Sequence, residues 1–95
     1  MGKAQSLAPL IPIEDGAIIE VVIWSVPKPV PGSSHSYKYR LFYGYPGLRV
    51  IRYDNERPTG DHRHFRGTEE PYSFINPEQL IDDFLAEVAN ERRML

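Results

Sequence analysis

The sequence predicts an α+β domain, an antiparallel sheet of about four strands with a carboxyl-terminal helix packed on one face. Three stretches carry that expectation. Residues 17–24 are rich in β-branched side chains, residues 35–53 alternate as a β-hairpin does, and residues 76–93 begin with a cap and continue as an apolar stripe at helical spacing.

Met1 to Gly16 reads as an irregular amino-terminal arm, because Pro9 and Pro12 space its apolar residues in a way that suits extended chain. Residues 17–95 read as the core of a single domain spanning 1–95. Ala17 to Trp24 is the first strand. Pro27 to Ser34 holds three prolines, a glycine and two serines, which cannot continue a sheet, so it is a connecting loop. From His35 to Tyr43 the chain alternates, with Tyr37, Tyr39, Leu41 and Tyr43 on one face and Ser36, Lys38, Arg40 and Phe42 on the other. Gly44 to Gly47 is the turn. Leu48 to Tyr53 returns, with Leu48 and Val50 on one face and Ile51 and Tyr53 on the other, and register decides which of Arg40, Arg49 and Arg52 share a face.

Asp54 to Gly60 is a polar turn, Asp61 to Phe65 a short strand, Arg66 to Glu70 a turn, and Tyr72 to Phe74 a brief extended piece. The helix is the best-signed element. Asn76 is its N-cap, Pro77 its first residue, Gln79 completes a capping box, and Ile75 with Leu80 forms a hydrophobic staple. Leu80, Ile81, Phe84, Leu85 and Val88 form the stripe, and Arg92 and Arg93 suit the negative end.

With 95 residues, 41% hydrophobic and 25% charged, the composition is that of a globular domain. A chain this short buries only roughly 60 to 65% of its unfolded surface, so a second copy, as a homodimer, is an expected way to share the burden. The absence of cysteine excludes disulfides and thiolate metal sites and agrees with a cytoplasmic setting. The longest apolar run, Ala17 to Trp24, is far short of the about 20 residues that span a bilayer, so no membrane partner is expected.

The net charge of −2 is unevenly spread. Residues 35–66 hold seven basic side chains (Lys38, Arg40, Arg49, Arg52, Arg57, Arg63 and Arg66) against three acids, a net of +4, and the remainder holds four against ten, a net of −6. A face built from the basic segment would attract nucleic-acid phosphates. The competing account is a solvated face whose arginines pair with acids of the helix.

Arg49 to Phe65 gathers most of the candidate chemistry, since a β-branched run and a turn lead into His62 and His64, one residue apart with arginines between and beside them. Five motifs in order carry a resemblance: His35-Ser-Tyr-Lys-Tyr-Arg40, Arg52-Tyr-Asp-Asn-Glu-Arg57, Gly60-Asp-His-Arg-His64, Glu70-Pro-Tyr-Ser-Phe74 and Leu80-Ile-Asp-Asp-Phe84. Together they resemble the TumE family of small bacterial toxins over roughly residues 17–88. The resemblance implies a toxin–antitoxin pair, with an antitoxin expected to be a helix-turn-helix DNA-binding protein. The family's turn reads Arg-Gly-Lys-Gly-Asp-His, whereas this chain has Arg57-Pro58-Thr59-Gly60 and so lacks the lysine at position 59. No catalytic set comes with the resemblance, so chemistry is argued from the residues.

Metal-independent cleavage of RNA by its own 2'-OH needs a base, an acid and cations on the phosphorane. His62 and His64 fit base and acid, sharing one strand face about 7 Å apart. Asp61 would orient an imidazole, and Lys38, Arg40, Arg49, Arg52, Arg57 and Arg63 would hold phosphate. On this reading no cofactor is needed, and the partners are RNA or the ribosome. A second reading is a non-enzymatic module that grips RNA or protein, with Tyr39 and Tyr53 as stacking platforms, although tyrosines at alternate strand positions are more often core. A third is a divalent ion held by Asp61, His62 and His64 with His35, for which His-x-His alone is a weak signal.

Overall fold

The computed structural model describes residues 10–12, 15–55 and 60–93. Among the described residues six strands, β1 (Leu10–Pro12), β2 (Ile18–Ser25), β3 (Tyr37–Tyr45), β4 (Leu48–Asp54), β5 (His62–Phe65) and β6 (Thr68–Pro71), precede one helix, α1 (Pro77–Arg93). The sheet order is β1-β2-β3-β4-β5-β6 and each neighbouring pair is antiparallel, so every strand lies beside its neighbours in sequence.

The class agrees with the sequence expectation, but the sheet has six strands rather than about four because each edge gains one. Leu10–Pro12 of the expected irregular arm pairs with β2, and an edge is where proline is tolerated in a sheet. On the other side the turn expected over residues 66–70 contracts to Arg66 and Gly67, whose φ values of 48° and 88° match the two-residue hairpin turn that follows strand twist. That releases Thr68–Pro71 to form β6. Its Glu69, Glu70 and closing Pro71 discourage further strand pairing at that edge.

Alternation divides the sheet as expected for β3. Val21, Ile23, Tyr39, Leu41, Tyr43, Ile51 and Tyr53 are buried in one core with Leu80, Phe84 and Val88 of α1. Val50 departs from its expected face and joins this core, because the β3–β4 register shifts at Tyr43/Gly44 and leaves Val50 unopposed. Gly44 is required there, since a Cβ on it would lie 2.2 Å from the Leu48 carbonyl oxygen.

The helix cap forms as expected, with the Gln79 N–H donating to Asn76 Oδ1 at 2.7 Å. Two refinements of it do not. Gln79 turns along the helix to donate from Nε2 to Asp83 Oδ1 at 2.7 Å rather than closing a capping box. Ile75 stays 69% exposed, so no staple forms. Leu85, at 43% exposed, also leaves the stripe, because Leu80, Phe84 and Val88 at four-residue spacing take the centre of the seam, with Ile81 packed at its margin.

Candidate functional site

The strand faces opposite the helix carry the chemistry. Register aligns two rows across the sheet there: Glu20, Phe42, Arg52, His64 and Glu69, and beside it Val22, Arg40, Asp54, His62 and Pro71. No helix covers this face among the described residues. Asp54 ends β4 and His62 begins β5, so the register sets them directly opposite each other.

Their contacts form one cluster. His62 Nε2 lies 2.7 Å from Asp54 Oδ1. The other carboxylate oxygen of Asp54 sits 2.5 Å from Arg52 Nε. His64 meets His62 edge to face with ring centroids 4.9 Å apart. Glu69 Oε2, reaching across from β6, is 3.5 Å from His62 Nε2 and 4.0 Å from His64 Nε2. Burial differs sharply within the cluster: Asp54 and His62 are 3% and 5% exposed, whereas the Glu69 side chain is 51% exposed and forms the mouth. Desolvation is the largest influence on His64 and holds its ring below the ordinary imidazole range despite the pull of Glu69.

Gly60 fixes His62. Its carbonyl oxygen is 2.8 Å from His62 Nδ1 and can only accept, so Nδ1 carries the proton. Gly60 has φ of 92°, and a Cβ there would lie 2.6 Å from the Gly32 carbonyl oxygen, so both the backbone conformation and the close approach demand glycine. A pocket of about 260 Å³ opens beside the cluster, lined by Asp61, His62, Glu69, Glu70 and Pro71.

Asp61 belongs to a different group. Its Oδ1 accepts from His35 Nε2 at 2.8 Å, Tyr39 Oη at 2.9 Å and Ser33 Oγ at 3.2 Å. His35 Nδ1 accepts the Tyr37 N–H at 3.2 Å, so its Nε2 is the donor, and its ring stacks on Phe74 with centroids 3.7 Å apart. Asp61 thus orients an imidazole, but that of His35 rather than His62 or His64. The metal set expected from Asp61, His62, His64 and His35 is split in the same way.

The cationic and aromatic candidates also separate. Arg40 and Arg52 share the helix-free face with Lys38, and Arg40 Nε approaches Glu20 Oε1 at 3.4 Å. Arg49 is exposed at the hairpin end. Arg63 projects to the helix side, where it pairs with Glu87 and Glu70, and Arg66 pairs with Glu91. Arg57, with Pro58 and Thr59, lies outside the described residues. Tyr39 and Tyr53 are core residues at 0% and 4% exposure, so neither offers a ring for a base to stack on. Burial first, then Asp61, raises the Tyr39 hydroxyl well above its ordinary range.

The family model described as toxin TumE matches residues 9–92. The chain belongs to the TumE toxin family. Membership gives this TumE-family protein a toxin role and, in general terms, an antitoxin partner. No curated protein and no solved structure gives a match. No helix among the described residues is long and apolar enough to cross a membrane.

Asp54, Asn55 and Glu69 are the residues that sequence reasoning passed over, each taken for part of a turn. A signal existed for Asp54. Extending the β4 alternation by one step places it on the face of Arg52, and equal strand lengths about the turn would set it opposite His62. Nothing local marks Glu69.

Proposed function

We propose that this protein is the toxin of a toxin–antitoxin pair and that it acts on RNA at the helix-free face of its sheet. The observation that carries the reading is the convergence of Asp54, His62 and His64 on that face, beside Arg52 and within a field of Lys38 and Arg40. Cations there would draw the phosphate backbone in, and the histidine–carboxylate cluster would act on it. The two histidines are not equivalent. His62 has Nδ1 on the Gly60 carbonyl and Nε2 against Asp54, so His64 is the imidazole placed to exchange a proton with substrate. The antitoxin, expected to be a helix-turn-helix protein, would silence the toxin by covering this face.

The test is cleavage of defined single-stranded and ribosome-bound RNAs by purified protein, in EDTA and with added divalent ions, wild type beside His64→Ala. Cleavage that disappears in a folded His64→Ala variant supports the reading. Intact RNA under every condition overturns it and leaves a toxin that acts by binding.

A further inference from the structure

The hydrogen-bonding roles at His62 single out its second ring nitrogen. Nδ1 donates to the Gly60 carbonyl, so Nε2 is the nitrogen left to face Asp54. It lies 2.7 Å from Asp54 Oδ1, a buried carboxylate oxygen that receives no hydrogen bond. Either a second proton on the ring or a metal ion held between the two groups accounts for so close an approach. His35 shows the contrast within the same molecule, since its Nδ1 accepts a backbone N–H and its Nε2 then donates to a carboxylate without conflict.

We infer that Asp54, His62 and His64 bind one divalent transition-metal ion, with Glu69 as a further ligand at the mouth. The donor atoms of the three lie within 4.8 Å of one another, and atoms each about 2.1 Å from a shared tetrahedral ion lie about 3.4 Å apart, so closing the site takes side-chain shifts of about 1.4 Å at most. The surroundings fit the same role. A metal-bound imidazole commonly donates its other N–H to a backbone carbonyl, as His62 does to Gly60. Arg52 occupies Oδ2 of Asp54 and leaves Oδ1 facing His62. The adjoining pocket, with Asp61, Glu69 and Glu70 in its wall, attracts a cation. Two imidazoles with carboxylates suit zinc, manganese, iron(II), cobalt or nickel, whereas magnesium and calcium favour all-oxygen sets.

The inference concerns the same cluster as the function proposed above: with the ion bound, His64 is a ligand rather than the group that exchanges a proton, and any role for the ion in acting on RNA rests on that reading. Ion binding itself is measured without RNA, so the two fail separately. The experiment is titration of tag-free protein, stripped with EDTA and desalted, with Co²⁺, read by calorimetry and by the visible absorption of coordinated cobalt. The expected result is one Co²⁺ per chain, displaced by Zn²⁺, with affinity at least about tenfold weaker in His64→Ala. Glu69→Gln, at an exposed position that does not threaten folding, is expected to weaken binding less, and Glu78→Gln not at all. Failure of the wild type to bind Co²⁺ one to one overturns the inference. So does unchanged binding in both His64→Ala and Glu69→Gln. Either result makes the Asp54–His62 contact a proton-held ion pair.

Discussion

Asn55 is the residue whose loss should cost this small domain most for its size. It follows the last residue of β4 and is fully buried. Beyond the end of β4 the edge of β3 would be left unpaired, and the Asn55 side chain stands in for the missing strand. Its Oδ1 accepts the Tyr39 N–H at 3.0 Å, and its Nδ2 donates to the Tyr37 carbonyl at 2.8 Å and to Ser33 Oγ at 3.1 Å. Asn55→Ala removes three hydrogen bonds of about 1 kcal/mol net each and strands two backbone groups, for an expected loss of about 3 kcal/mol. Against a total of about 5 to 14 kcal/mol for 95 residues, that is a large share. It corresponds to a fall in Tm of about 12 to 24 °C. Urea unfolding followed by the fluorescence of the single tryptophan, Trp24, measures it, with exposed Asn90→Ala as control. A loss below about 1 kcal/mol with an unchanged m value would refute the surrogate-strand account.

Three further outcomes are expected. Gly60→Ala forces a left-handed conformation costing roughly 1–2 kcal/mol on a side-chain-bearing residue and drives its Cβ onto the Gly32 carbonyl. Its urea midpoint should therefore fall clearly, and an unchanged midpoint would contradict the geometry. A double-mutant cycle on Arg63 and Glu87, which pair between β5 and α1 with side chains 23% and 18% exposed, should give a coupling of about 1 kcal/mol or more. Additive losses would show that the pair does not hold the helix to the sheet. Burial raises the hydroxyls of Tyr39, Tyr53 and Tyr72 above their ordinary value. Groups whose folded pKa is raised contribute stability that is intact below the unfolded value of about 10 and lost as pH rises beyond it. Ultraviolet titration should thus show these three ionising only as the circular dichroism is lost, and reversible titration of all six tyrosines near pH 10 in the folded protein would refute this.

Much of the fold was legible because its signals are local. A β-branched run, an alternating hairpin and the Asn76-Pro77 cap each report on the residues that carry them, and β2, β3, β4 and α1 lie where those signals stand. The edge strands were not legible. Leu10–Pro12 and Thr68–Pro71 have weak strand composition and exist because a neighbour offers them unpaired backbone groups. The Arg66-Gly67 turn hid β6 in the same way, since only its two positive φ values separate a tight hairpin from a longer loop.

The α+β class, the helix with its cap and buried stripe, the TumE motifs in their order, and the approach of His62 and His64 on one strand face can all be read along the chain. Those depend on residue type and on spacing along the chain. The partners of the histidines were decided only by the tertiary structure. Strand register set Asp54 rather than Asp61 against His62 and brought Glu69 across from a strand the sequence did not announce. On the other face the helix buries Tyr39 and Tyr53 in the core and pairs Arg63 with Glu87. A one-residue change of register reverses every side chain on a strand, so the alternation that marks Asp54 names its partner only once the pairing of β4 with β5 is known.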